Sequence, residues 1–266
     1  MDSARLATTD GIAAALVAAR RARRALDGFP GPMPASMAEA YRIQDAGLSI
    51  WDDEVAGWKI GLVGPHLREA LKAERLAGPI FRKDVREAKP GVAVVFPVFA
   101  GGFAAVEGEF IFRMGADAPA GKTTWTDDEA AALVATVHIG VETAGSPMRM
   151  INDLGPTVVG SDFGNNFGVI VGAAIDNWRS RMDGVAVSTA IEGKVVGTGG
   201  AQSLPGGPLA GLRFLLAHLA ERGRPLRKGQ LVSSGAITGV HDIVAGQSSV
   251  ITFEGCGAIE CRAIPA

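Results

Sequence analysis

Glu107-Gly108-Glu109 sits inside a long apolar run, with Phe103-Ala104-Ala105-Val106 before it and Phe110-Ile111-Phe112 after it. Residues two apart on a strand project from the same face, so two carboxylates emerge side by side from a segment of core-like composition. In a buried site they repel, and one is driven toward protonation unless a cation lies between them. A third carboxylate, Glu142, ends the run Val137-His138-Ile139-Gly140-Val141. Three carboxylates with room for water and a ligand suit a hard divalent ion, Mg2+ or Mn2+. The pattern alone reads at least as readily as the wet face of a half-exposed antiparallel strand. Spacing does not join Glu142 to the pair.

Lys59 is the other residue out of place, within Trp58-Lys59-Ile60-Gly61-Leu62-Val63. Buried near a metal, its pKa is expected to fall, making it a general acid or base near neutral pH. A strand lysine that reaches to solvent along its aliphatic stem fits the same sequence. The four histidines, at 66, 138, 218 and 241, have no metal-ligand spacing, and no Gly-x-Ser-x-Gly elbow occurs. Gly197-Thr198-Gly199-Gly200 lacks the strand-loop-helix context of a dinucleotide loop, since the next helix begins only at Pro208.

The elements that must position these groups fall into two kinds. Residues 1–54 read as a helical N-terminal cap. Its first helix starts with Asp10 in the N-cap place and repeats Ile12, Ala15, Leu16 and Ala19 at helical spacing, within an Arg-rich segment that resembles a transit peptide only superficially. Its second follows the Pro/Gly loop from Phe29 to Pro34, opens on the capping-box form Ser36-Met37-Ala38-Glu39, and runs to about Trp51. Residues 55–266 read as a β-rich core forming one continuous unit. Strands are expected at Trp58–Val63, Val92–Val98, Phe103–Phe112, Val137–Glu142, Val169–Ala173, Val185–Ile191, Val195–Thr198, Val232–Ile237, Ser248–Phe253 and Ala258–Ala263. Three helices interrupt them: His66 to Arg75, one after Thr126, and Pro208 to about Glu221. The fold class is α+β, with a mostly antiparallel sheet and helices packed outside.

Composition excludes several functions. A net charge of −2 from 26 basic and 28 acidic residues offers no footprint for nucleic acid or an anionic membrane. No apolar run reaches the ~18 residues of a spanning helix. Cys256 and Cys261 form neither a disulfide framework nor a zinc pattern, which fits buried thiols in a reducing cytoplasm.

The order and spacing of these pieces resemble the fumarylacetoacetate hydrolase superfamily, in its branch of 2-oxopent-4-enoate hydratases, oxoheptenedioate hydratases and 4-oxalocrotonate decarboxylases. The matching segments are Ala40-Tyr41-Arg42-Ile43-Gln44, Trp58 to Leu62, Glu107-Gly108-Glu109, Gly140-Val141-Glu142, Ser161-Asp162 with Asn166 and Gly168-Val169, Gly207-Pro208-Leu209, and Ser234-Gly235-Ala236. The resemblance implies a mixed β-sheet rolled around the active site, Mg2+ or Mn2+ on Glu107, Glu109 and Glu142, and Lys59 as the catalytic acid/base. It assigns Ser161, Asp162 and Ser234 to hydrogen bonds with substrate or water. It also implies a homo-oligomer, alone or with a partner enzyme of the same pathway.

The implied substrate is a small 2-oxo acid whose carboxylate and 2-oxygen chelate the cation, a Lewis acid for the enolate formed as a dienol is ketonised. The leading expectation is a hydratase adding water to a 2-oxo-4-enoate of the 2-hydroxypenta-2,4-dienoate type in aromatic meta-cleavage catabolism. The alternatives are a 4-oxalocrotonate-type decarboxylase, a C–C bond hydrolase of the same superfamily, and a noncatalytic partner subunit. Two departures bear on the reaction. Leu76 and Ala77 stand before Gly78, where several hydratases carry an acidic residue, and Phe163 stands where the family often has Asn.

Overall fold

The computed structural model describes residues 8–266. The first seven residues of the expected N-terminal cap lie outside the described residues. Helices α1 (Thr9–Arg21) and α2 (Met37–Ile50) come first and pack on each other. The N-cap of α1 is Thr8, which accepts from the Gly11 amide, and not Asp10, which lies inside the first turn. At α2 half of the expected capping box forms: Ser36 accepts from the Glu39 amide, while the Glu39 carboxylate takes the Ala35 amide instead of that of Ser36.

The chain continues through β1 (Val55–Leu62), α3 (Pro65–Leu71), β2 (Arg75–Phe81), β3 (Val85–Glu87), β4 (Val94–Val98) and β5 (Phe103–Met114). It then runs through α4 (Asp127–Ala132), β6 (Val134–Ser146), α5 (Ile151–Leu154), α6 (Pro156–Ser161) and β7 (Asn166–Ala174). Last come α7 (Trp178–Arg181), β8 (Val187–Ile191), β9 (Lys194–Gly199), α8 (Gly207–Glu221), β10 (Leu231–Ser233), β11 (His241–Asp242), β12 (Ser248–Phe253) and β13 (Gly257–Pro265). The third expected helix ends four residues early, at Leu71, because Arg75 already belongs to β2. Gly78-Pro79 reads as a turn, yet β2 stands at the end of its sheet and pairs only with β1, where a missing proline N–H costs no ladder bond. The strand expected over Val232–Ile237 is shorter, since its pairing stops at Ser233. The short helices α5, α6 and α7 carry too little apolar periodicity to be read from sequence.

Among the described residues, eight strands form one sheet, in the order β2-β1-β10-β5-β6-β7-β3 with β11 added to β5, and five form a second, in the order β4-β13-β12-β8-β9. Pairing is antiparallel except for β1 with β10, β3 with β7 and β4 with β13. The larger sheet curls: β2 stands at one end of the order, yet it touches β7, near the other. Inside that curl Ile80, Ile111, Val169, Val171 and Leu231 form a dry plug. The outer face of β5 packs on the second sheet, where Phe110 meets Phe253 with ring centroids 6.0 Å apart. No described helix is long and apolar enough to cross a membrane.

Candidate metal centre and active site

Strands β5 and β6 place Glu107 directly opposite Glu142, with Glu109 opposite Gly140. Alternation along β5 puts Glu107, Glu109 and Ile111 on the inner face of the curl. Gly108 faces the other way, where a Cβ would meet Ile251 of the second sheet at 3.0 Å. The Glu-Gly-Glu pattern therefore joins two acids on the inside to close sheet packing on the outside. Glu109 and Glu142 are 0% exposed, and Glu107 and Lys59 are 4% exposed, which excludes a wet strand face and a lysine reaching to solvent. One carboxylate oxygen from each of Glu107, Glu109 and Glu142 lies within 4.8 Å of the others.

The supporting bonds are uneven. Glu109 Oε2 accepts from Ser233 Oγ and, at 2.9 Å, from the Gly235 amide, while its Oε1 is buried without a partner. Glu142 Oε1 accepts from Asn166 Nδ2 at 2.9 Å. Its Oε2 faces Lys59 Nζ at 3.3 Å but receives no aligned hydrogen bond. Burial, followed by the charge of Glu142 and opposed by Lys59, pushes the Glu107 carboxyl up to about 8. Glu109 is raised well above the carboxylate range by burial, then by Glu142 and Glu107, against the Ser233 hydrogen bond and Lys59.

For Lys59 the balance differs from the sequence expectation. Burial alone lowers an ammonium, but Glu142, Glu107 and Glu109 together outweigh it and hold Lys59 above its ordinary value. Three carboxylates thus share one ammonium, and the buried Glu109 Oε1 has no partner within the fold. Oxygen donors of this kind fit a hard divalent ion, and Glu107, Glu109 and Glu142 would hold it.

Lys59 is fixed from the far side by a turn that sequence reading did not assign a role. Lys59 pairs with Gly78 of β2, and a Cβ on Gly78 would lie 2.2 Å from the Phe163 carbonyl oxygen. Only glycine lets the 163–165 turn descend onto the strand here. Phe163, at φ 54°, packs its ring edge-on against the stacked pair Phe81 and Trp51, with centroids at 5.1 and 5.5 Å. Asn165, at φ 53°, accepts from Lys59 Nζ at 3.3 Å through Oδ1 and donates to Asn152 Oδ1 at 3.2 Å. Asn165 thus sets a side-chain amide against Lys59. Asn's tolerance of the left-handed region is the one local signal for it.

The structure brings Lys59, Glu107, Glu109 and Glu142 together, and it does not add Ser161, Asp162 or Ser234 to that group. Ser161 Oγ donates to the Thr157 carbonyl inside α6 at 2.8 Å. Ser234 Oγ accepts from the Phe110 amide at 3.1 Å and donates to Gly235 O. Asp162 is bound by Arg20, whose Nε and Nη2 reach Oδ1 and Oδ2 at 2.5 and 2.9 Å, while Ser146 Oγ donates to Oδ2 at 2.6 Å. Each of these three side chains bonds within the fold, and none is among the residues lining the cavity described below. Arg20, which the sequence shows only as part of an Arg-rich segment, is 4% exposed. It also donates to the carbonyls of Asn166 and Gly145 at 2.8 and 3.0 Å, so α1 holds the residue that holds Glu142.

A cavity of about 700 Å³ opens onto this cluster. Lys59, Glu107 and Asn165 form its polar floor, and the exposed residues His66, Asn152 and Asp153 lie at its mouth.

No family profile and no curated protein matches the chain. Solved structures do. 4-Oxalocrotonate decarboxylase from Pseudomonas putida G7, complexed with magnesium and adipate, superposes with a TM-score of 0.81 at 19% identity, covering 96% of this chain and 97% of that one. Fumarylpyruvate hydrolase from Pseudomonas aeruginosa, with Mn2+ and pyruvate, gives 0.57 at 16% identity over 79% of this chain and 89% of its own. A 5-carboxymethyl-2-hydroxymuconate delta-isomerase from Mycobacterium smegmatis gives 0.55 at 18% identity over 80% of each. These structures belong to the fumarylacetoacetate hydrolase superfamily, and the chain has their fold.

Proposed function

We propose that the chain is a divalent-metal-dependent enzyme of 2-oxo acid chemistry, a hydratase that adds water to a 2-oxo-4-enoate of the 2-hydroxypenta-2,4-dienoate type. The observation that carries this reading is the set of three buried carboxylates sharing one lysine at the floor of a cavity, with Glu109 Oε1 left without a partner. A Mg2+ or Mn2+ ion held there supplies a Lewis acid for negative charge developing on the 2-oxygen of a bound 2-oxo acid. The fold shared with enzymes solved with magnesium or manganese supports the same reading.

Lys59 is the proton carrier. Its Nζ sits between Glu142 and Asn165, at 3.3 Å from each, so the ammonium is aimed and its motion restricted. It delivers a proton to the terminal carbon while the dienol's 2-hydroxyl gives up its own proton to water, which leaves the conjugated enone, and the lysine regains its proton from solvent. Water then adds its hydroxyl to the far carbon and its proton to the neighbouring one, with no change of oxidation state overall. Leu76, at the place where several hydratases carry an acid, is 3% exposed and contributes an apolar wall, which leaves Lys59 as the proton donor on that side.

A second reading, 2-oxo acid decarboxylation, is favoured by the near-complete mutual coverage with 4-oxalocrotonate decarboxylase. One experiment separates them. With Mg2+ or Mn2+ added, loss of dienol absorbance without CO2 release is expected for the hydratase, and CO2 from the dicarboxylate analogue for the decarboxylase. Neither signal, with the metal demonstrably bound, removes both.

A further inference from the structure

Two of the three central glutamates each have one oxygen tied to the fold and one left free. Glu109 Oε2 accepts from Ser233 Oγ and the Gly235 amide, and its Oε1 has no partner. Glu142 Oε1 accepts from Asn166 Nδ2 at 2.9 Å, and its unbonded Oε2 faces Lys59 Nζ. Both ties are fixed from behind. Ser233 is 0% exposed and is registered between Lys59 of β1 and Ile111 of β5. Asn166 Oδ1 accepts from the Gly168 amide at 3.1 Å, so a turned-over carboxamide would lose that bond and set oxygen against oxygen at Glu142. Gly168 stands at φ 132°, and a Cβ there would lie 2.7 Å from the Asp84 carbonyl oxygen, so the amide reaches Asn166 only because the residue is glycine. Asn166 itself sits at a bulge, where β6 and β7 lose register between Glu142 and Ala144, and Arg20 bonds the carbonyls of Asn166 and Gly145 across it. Glu107 lines the cavity and takes no hydrogen bond among the described residues.

A carboxylate with one oxygen held by an N–H or O–H offers a cation the other oxygen alone. Ca2+ gathers about six to eight oxygens and often takes both from one carboxylate, while the smaller octahedral ions Mg2+ and Mn2+ accept single oxygens and keep water. Resting on the metal-dependent reading above, we infer that Asn166 is a positioning residue that selects the ion. It holds Glu142 to one-oxygen binding, as Ser233 and the Gly235 amide hold Glu109, and so sets the site against Ca2+. Glu142 Oε1 depends on Asn166 alone, whereas Glu109 keeps the Gly235 amide if Ser233 is lost, so Asn166 carries the larger share.

Calorimetric titration of the metal-free full chain with Mn2+ and, separately, with Ca2+ tests this without substrate. The parent is expected to bind Mn2+ at least about a hundredfold more tightly than Ca2+. Asn166→Ala frees Glu142 Oε1 for the larger ion and is expected to narrow that gap at least about tenfold, within the range by which residues behind metal ligands alter affinity. Ser233→Ala should narrow it in the same direction by about threefold. General loosening of the fold weakens both ions together and leaves the ratio unmoved. Thr143→Val is the control: it removes the Thr143 Oγ1 bond to the Phe167 carbonyl at the same bulge and touches no glutamate. Its gap is expected to stay within about twofold of the parent's. A parent without preference for Mn2+, an unchanged gap in Asn166→Ala, or a Thr143→Val gap narrowed as far as that of Asn166→Ala overturns the inference while metal binding stands. If Asn166→Ala fails to fold, an unchanged gap in Ser233→Ala overturns it instead. Binding of neither ion by the parent overturns the metal-dependent reading and this inference with it.

Discussion

Buried Asp162 and the buried glutamates are linked through Arg20 and Asn166, and they are provisioned in opposite ways. Asp162 is fully served: Arg20 meets both carboxylate oxygens and Ser146 adds a third bond. Glu107, Glu109 and Glu142 share one lysine among them, and Glu109 Oε1 has no partner. A fold that can satisfy one buried carboxylate so completely leaves the other three short of positive charge. The difference sets an acid whose oxygens are all paired inside the fold apart from three that are not, and it does so without reference to sequence motifs.

Removing a partner breaks the comparison most severely on the Asp162 side. Arg20→Ala leaves a buried carboxylate uncompensated and is expected to cost about 3–5 kcal/mol in urea unfolding. A loss under about 1 kcal/mol would put Asp162 and the glutamates in one class. On the other side, Lys59→Ala is expected to keep metal affinity in calorimetry and lose roughly 10²- to 10⁴-fold in kcat, the range for a missing acid/base. An unchanged rate of ketonisation would assign the proton to another group.

Smaller still, Glu109→Gln mimics the protonated acid and retains the acceptors for Ser233 and Gly235, so its metal-free stability is expected to stay within about 0.5 kcal/mol of the parent. The parent alone should then be stabilised by Mn2+, by about 2.7 kcal/mol at a hundred times Kd, read as a melting shift that the variant lacks.

The smallest effect is in pH. Glu107 is raised from 4.5 to about 8, so its protonated form favours the folded state. That contribution is complete below 4.5 and is lost as pH rises through about 8, so metal-free protein should weaken on going from pH 6.5 to 8.5. His218, lowered from 6.5 to about 4 by burial, then by Arg222, acts in the other direction and only below 6.5. A metal-free protein whose stability rises over that alkaline window would contradict the shortage of positive charge.

The sequence showed the acidic cluster better than it showed its supports. Glu107 and Glu109 are legible because an apolar run is a poor place for two acids, and joining them to Glu142 needed the family resemblance. Their burial was not legible, since period-two alternation is the same for a wet face and for the inner face of a curled sheet. Ser233, Asn165 and Arg20 escaped for a common reason: each meets its partner across a contact far apart in sequence, and local spacing carries no trace of it. The strand at 75–81 was missed because Gly78-Pro79 has the chemistry of a turn, and only its place at the sheet's end reconciles it with pairing. Most other strands of the core were legible within a few residues, as alternation there is fixed by the packing of two sheets.

The bond between Arg20 and Asp162 also bears on the order of folding. Its two ends are 142 positions apart, so the last turn of α1 cannot be locked until β5, β6 and the 163–165 turn have come together. Contacts of such separation bear the full cost of loop closure before they return any stability. The latch is therefore expected to close after the rate-limiting barrier. In a stopped-flow chevron, Arg20→Ala should leave the refolding limb nearly unmoved and accelerate unfolding, which makes this guanidinium a determinant of the protein's lifetime more than of its speed of assembly.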